Sequence, residues 1–125
     1  MGLMLSPGDD DVTSPDVSWS YTGFNMFREW LAQAEGFVLA EMNGFGGGRT
    51  WSSVSTTLAP LLDHSDDNGF LTLAQCAAML PRLEAIIEQQ HEDGHAVYER
   101  RVSDVRQLVT VMRYCLEKEV DLIFC

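Results

Sequence analysis

Apolar residues recur at steps of three and four positions over two long parts of the chain, residues 24–38 and residues 98–116. Residues at these steps lie on one face of an α-helix, so each pattern predicts an amphipathic helix. The first helix is expected to run as far as Asn43-Gly44, a pair that commonly ends helices. The second is expected to run from about His95 to Lys118.

A third helix is predicted by the segment Thr72-Leu73-Ala74-Gln75, which has the spacing of a capping box. In this motif the threonine hydroxyl accepts from the glutamine N–H, and the glutamine side chain accepts from the threonine N–H. Pro81 has no N–H to donate and should kink this helix near Ala77. The apolar stripe of the helix comprises Leu73, Cys76, Leu80, Leu83 and Ile87.

The two ends of the chain differ in composition. Residues 1–17 contain prolines, a glycine and the run Asp9-Asp10-Asp11, which predicts a disordered acidic tail followed by a single helical domain over 18–125. Residues 121–125 are short and mostly apolar, so we expect them to lie against the core as an extended, strand-like end. The predicted fold class is therefore all-α, with three main helices, a glycine-rich loop at 44–50 and an EF-hand-like helix-loop-helix turn.

Charge changes the expected partners. The chain has 8 basic and 19 acidic residues, for a net charge of -11. Such a charge repels nucleic-acid phosphates and anionic membranes and favours a protein partner with a basic surface, with DNA mimicry and plain solubility as alternatives. No apolar run reaches the ~20 residues that span a bilayer. Cys76, Cys115 and Cys125 lack CxxC spacing, which favours reduced thiols and a cytoplasmic location.

One loop has the pattern of a cation site. Residues 64–75 align with the twelve-residue EF-hand loop when Gly69 takes the sharp turn at position six. Oxygen ligands then fall at positions three, five, seven and nine, which indicates a calcium site. The candidate ligands are Asp66, Asn68, the carbonyl of Phe70, and Thr72.

The first and last positions of this loop depart from the EF-hand pattern. His64 stands at position one in place of a carboxylate, and Gln75 stands at position twelve in place of the bidentate glutamate. A shift by one residue would put Asp63 first but would move Gly69 off its turn. The sequence therefore favours a metal-free loop with the same geometry, and no cofactor is expected.

Residues 91–95 read HEDGH, a literal HExxH, in which two histidines on one helix face bind zinc and the glutamate activates water. Asp93 and Gly94 are poor helix formers, which favours a polar turn between two helices instead. The glycines at 44–48 lack the lysine and the preceding strand of a P-loop, so they indicate a connecting loop. Neither pattern is a convincing catalytic constellation, and we do not expect an enzyme.

The segments SWSYTGF at 18–24, FRE at 27–29 and HSDDNGFLT at 64–72 resemble a family of small uncharacterised proteins of actinobacteria and their phages. The resemblance spans most of residues 18–125. The family loop reads more like HSDxDGxLTPEE, and this chain departs from it at Asn68, Leu73 and Gln75, which weakens the cation site. The resemblance implies a bacterial or phage cytoplasmic setting and brings no activity with it.

These observations favour a small acidic protein-binding module, of an interaction or inhibitor type, that acts on a host protein. A small phage-type protein with no convincing catalytic constellation more often acts by occupying the surface of a partner. The alternatives are a degenerate EF-hand-like protein that binds a divalent cation through the Asp66 loop, and a zinc hydrolase that uses His91 and His95.

Overall fold

A computed structural model describes residues 2–9, 13–64, 69–90 and 96–124 of the protein. Two short 3-10 turns cover Leu39–Glu41 and Trp51–Ser53. The strands are β1 (Gly2–Pro7), β2 (Val17–Ser20), β3 (Gly69–Leu71) and β4 (Leu122–Phe124). The helices are α1 (Tyr21–Ala34), α2 (Ala59–Leu62), α3 (Leu73–Gln90) and α4 (Ala96–Lys118).

The four strands form one sheet in the order β2-β1-β4-β3, and every neighbouring pair is antiparallel. Leu5 of β1 lies opposite Val17 of β2 on one side and opposite Phe124 of β4 on the other. The two central strands therefore come from the two ends of the described chain.

Side chains alternate between the two faces of this sheet. Leu3 and Leu5 are buried while Met4 between them is exposed, as expected for a strand with one face toward the core. Helices α1 and α4 cover the buried face, and α3 packs mainly on α4. The core between these layers is built from Leu3, Leu5, Val17, Phe24, Phe27, Leu31, Val105, Leu108, Met112, Leu122 and Phe124.

Helix α1 begins and ends at recognisable capping residues. The Ser20 hydroxyl accepts from the backbone N–H of Gly23 at 2.9 Å. After Ala34 the chain turns at Gly36, whose φ of +88° lies in the left-handed region that glycine adopts without strain. The prediction that this helix continues to Asn43-Gly44 is wrong, because Gly36 ends the helix although apolar residues continue beyond it.

The all-α prediction is wrong, since the fold combines helices with a four-stranded antiparallel sheet. The disordered tail expected over residues 1–17 is also wrong for Gly2–Pro7, which form strand β1. The strands have three to six residues, so their alternation is brief beside the long helical stripes. The run Asp9-Asp10-Asp11 follows β1 and lowers the mean hydropathy of this end of the chain, so the sequence there does not indicate a strand.

The EF-hand-like helix-loop-helix turn needs correction as well. The helix that enters the loop, α2, has only four residues, and the chain passes through β3 before α3 begins. Other predictions are confirmed: α3 contains Pro81 and α4 ends at Lys118. The strand-like C-terminal end is β4.

Candidate functional site

The loop that precedes α3 is the site the sequence singled out, and the structure describes it in part. Asp66 and Asn68 lie outside the described residues, so the full ligand set stays a prediction. Phe70 belongs to β3, and Thr72 lies between β3 and α3. The turn expected at Gly69 is confirmed by its φ of +111°.

His64, the first residue of the loop, lies over the backbone of Gly69 and on the ring of Phe124. The two rings stack with centroids 3.8 Å apart and an interplanar angle of 22°. The Nε2 atom of His64 is 3.0 Å from the carbonyl oxygen of Phe70. This carbonyl is the ligand expected at position seven, and here the imidazole is its hydrogen-bond partner.

A buried arginine supports the same part of the chain. Arg28 of α1 is 3% exposed, and its Nη1 donates to the carbonyl of His64 at 2.7 Å and more weakly to that of Leu62 at 3.4 Å. The guanidinium also lies 4.6 Å from the centre of the Phe24 ring. A fixed positive charge beside the first loop residue opposes the binding of a divalent cation.

The neighbouring carboxyl of Asp63 is exposed, yet its partial burial raises its pKa above the ordinary value. The positive charges of Arg28 and His64 lower this pKa and so offset part of the effect of burial. Asp63, the alternative first ligand, therefore keeps its proton to a higher pH than an isolated aspartate does.

Thr72 and Gln75 form the capping box that their spacing predicted. The backbone N–H of Gln75 donates to the Thr72 hydroxyl at 3.2 Å, and the backbone N–H of Thr72 donates to Oε1 of Gln75 at 2.8 Å. The N–H of Leu73 donates to a carboxylate oxygen of Asp121 at 3.0 Å. These oxygens satisfy the start of α3, so the loop positions nine and twelve are already used for helix capping.

Metal chemistry finds no further support in the described part of the chain. No group of three or more His, Cys, Asp and Glu side chains is placed there to hold a metal ion. The HEDGH segment at 91–95 lies outside the described residues, so the zinc hypothesis for His91 and His95 stays a prediction.

The glycine-rich loop at 44–50 is folded on itself. The N–H groups of Phe45 and Gly47 both donate to the Met42 carbonyl, and the N–H of Arg49 donates to that of Glu41. A phosphate cradle needs backbone N–H groups that point at the ligand. These three N–H groups are therefore not available to a phosphate, and the loop connects the two 3-10 turns.

Sequence reasoning missed an open cleft between the end of α1, residues 55–57 and α3. Its volume is about 420 Å³. At its wall Nε of Arg82 donates to both carboxylate oxygens of Glu35 at 2.8 Å, and the Thr56 hydroxyl donates to Glu35 at 3.0 Å. These polar groups neutralise one another, so the cleft carries little net charge and its contacts join α1 to α3.

Sequence reasoning also missed the outer strip, which we define as Met4, Ile123 and Phe70 on the face of the sheet away from the helices. Phe70 is 55% exposed and Met4 is 38% exposed, while Ile123 is half-buried. Ile123 lies directly opposite Phe70 in the pairing of β3 with β4. The alternation of Val17-Ser18-Trp19-Ser20 was the signal that could have revealed the sheet.

Four of the basic residues are buried or ion-paired. Arg28 is buried, and ion pairs join Arg82 to Glu35, Arg101 to Asp104 and Arg113 to Glu84, with N···O distances of 2.8, 3.6 and 2.7 Å. Each ion pair neutralises one basic and one acidic side chain. The ratio of acidic to basic groups is therefore higher among the unpaired residues than in the whole sequence. Exposed carboxylates include Asp16, Glu41, Asp63, Glu88, Glu117, Glu119 and Asp121.

Comparison of the chain with protein-family models, with curated proteins and with solved structures gives no match. The resemblance to actinobacterial and phage proteins therefore stays a prediction. Within the part of the chain that the structure describes, none of the helices combines the length and hydropathy that a membrane crossing requires.

Proposed function

We propose that the protein acts by binding a partner protein that presents a basic surface. The observation that carries the proposal is the excess of carboxylates at the surface: among the residues that the structure describes, exposed acidic side chains outnumber exposed basic ones. A net charge of -11 on 125 residues produces a field that attracts basic proteins over several ångströms and speeds their association. The same field disfavours nucleic acid as the partner.

The setting we propose is the cytoplasm of a bacterial host, which the resemblance implies. Cys76 and Cys115 are free and buried, which suits a reducing compartment. In that setting the protein would occupy the surface of a host protein, as an interaction or inhibitor-type module with no catalytic step.

Affinity capture from a bacterial lysate tests this function. The chain should retain a small set of basic proteins at low ionic strength, and retention should fall as salt screens the surface charge. The matched control is the quadruple variant Asp16→Asn, Glu41→Gln, Glu88→Gln and Glu117→Gln, which preserves side-chain shape and should retain less. Absence of any specific partner at low salt would contradict the proposal.

A further inference from the structure

We draw no further inference here: the strongest candidate, the apolar outer strip of Met4, Ile123 and Phe70 on the face of the sheet away from the helices, carries none because nothing in the structure shows what covers it.

Discussion

At the scale of single residues, the ring of His64 occupies the space beside Gly69 that a side chain at position 69 would otherwise fill. Gly69 has no Cβ and lies opposite Phe124 in the sheet, and the His64 ring covers that gap by stacking on Phe124. Aromatic cover of a glycine at a sheet edge stabilises the pairing of its strand. This packing explains why a carboxylate is absent from the first loop position: the residue there serves the sheet.

Replacing Gly69 by alanine should therefore destabilise the fold by about 1 to 3 kcal/mol. Its φ of +111° is strained for any residue with a side chain, and a Cβ would lie 2.9 Å from Cε1 of His64. Gly48→Ala is the matched control, because a Cβ there meets nothing within 4 Å. Urea unfolding of both variants measures the difference, and equal stability of the two would contradict the packing described.

The thiols of Cys76 and Cys115 should resist alkylation in the native protein. Burial raises the pKa of Cys76 from 9.0 to about 12 and that of Cys115 to about 11. Because thiolate is the reactive form, iodoacetamide at pH 8 should modify both residues only after unfolding, as followed by peptide mass spectrometry.

These pKa shifts also predict how the free energy of unfolding changes with pH. The folded state holds the thiol protons more tightly than the unfolded state does. The contribution of the two protonated thiols to the free energy of unfolding is therefore fully present below about pH 9 and is lost as the pH rises toward 11 to 12. Rapid alkylation of the folded chain at pH 8 would show that the thiols are not buried.

At the scale of elements, spacing in the sequence was enough to locate the three long helices, although not the end of α1, and was too little to predict the sheet. The stripes of α1 and α4 extend over several turns, and the capping box fixed the start of α3 to the residue. Strand β1 has only two inward leucines, Leu3 and Leu5, and its partner β4 lies at the far end of the chain. No local sequence pattern indicates the pairing of β1 with β4, so the sequence did not predict the sheet.

The features of the candidate site likewise fall into two groups, those that depend on local spacing and those that depend on tertiary contacts. The turn at Gly69 and the cap of Thr72 and Gln75 depend on neighbours in sequence, and spacing predicted them. The position of His64 depends on Phe124 in β4, and the position of the outer strip depends on the order of the strands. Both follow from tertiary contacts that a single sequence does not display.

Thr72→Ala should lower the free energy of unfolding by about 1 kcal/mol, since it leaves the N–H of Gln75 without its capping oxygen. Thr72→Ser keeps the hydroxyl and is the control, with stability close to that of the parent. Thermal unfolding followed by circular dichroism compares the three chains. A loss that is equal for alanine and serine would assign the effect to packing of the methyl group.

Calcium in the micromolar range should leave the melting temperature unchanged. The Phe70 carbonyl, the Thr72 hydroxyl and Gln75 already have hydrogen-bond partners, and a bidentate acid is absent from the last loop position. Gln75→Glu supplies that acid and should strengthen any binding that exists. Calorimetric titration of both chains measures this, and micromolar affinity in the parent would contradict the expectation.

At the scale of the whole molecule, β4 joins three parts of the fold. Phe124 is 2% exposed, lies opposite Leu5 and Gly69, and contacts the ring of Phe24 with centroids 6.3 Å apart. The core under the sheet therefore depends on a side chain from the far end of the sequence.

Phe124→Ala should destabilise the protein by about 3 to 5 kcal/mol through the cavity it leaves. Ile123→Ala changes the neighbouring residue, which faces the other side of the sheet and is half-buried, and should lower stability by much less. Urea unfolding read by tryptophan fluorescence and by circular dichroism compares the two. Similar losses would indicate that the outer strip is covered as fully as the core.

The pairing of β1 with β4 also fixes the order of events on the ribosome. Residue 5 leaves the exit tunnel early, but its partner at position 124 is synthesised more than a hundred residues later. Until then β1 can pair only with β2 and has an open edge, which is the kind of surface that nascent chains protect with chaperones. The sheet therefore cannot be completed until β4 has left the exit tunnel. Refolding in vitro should be slowed by the same need to pair two strands that are distant in sequence.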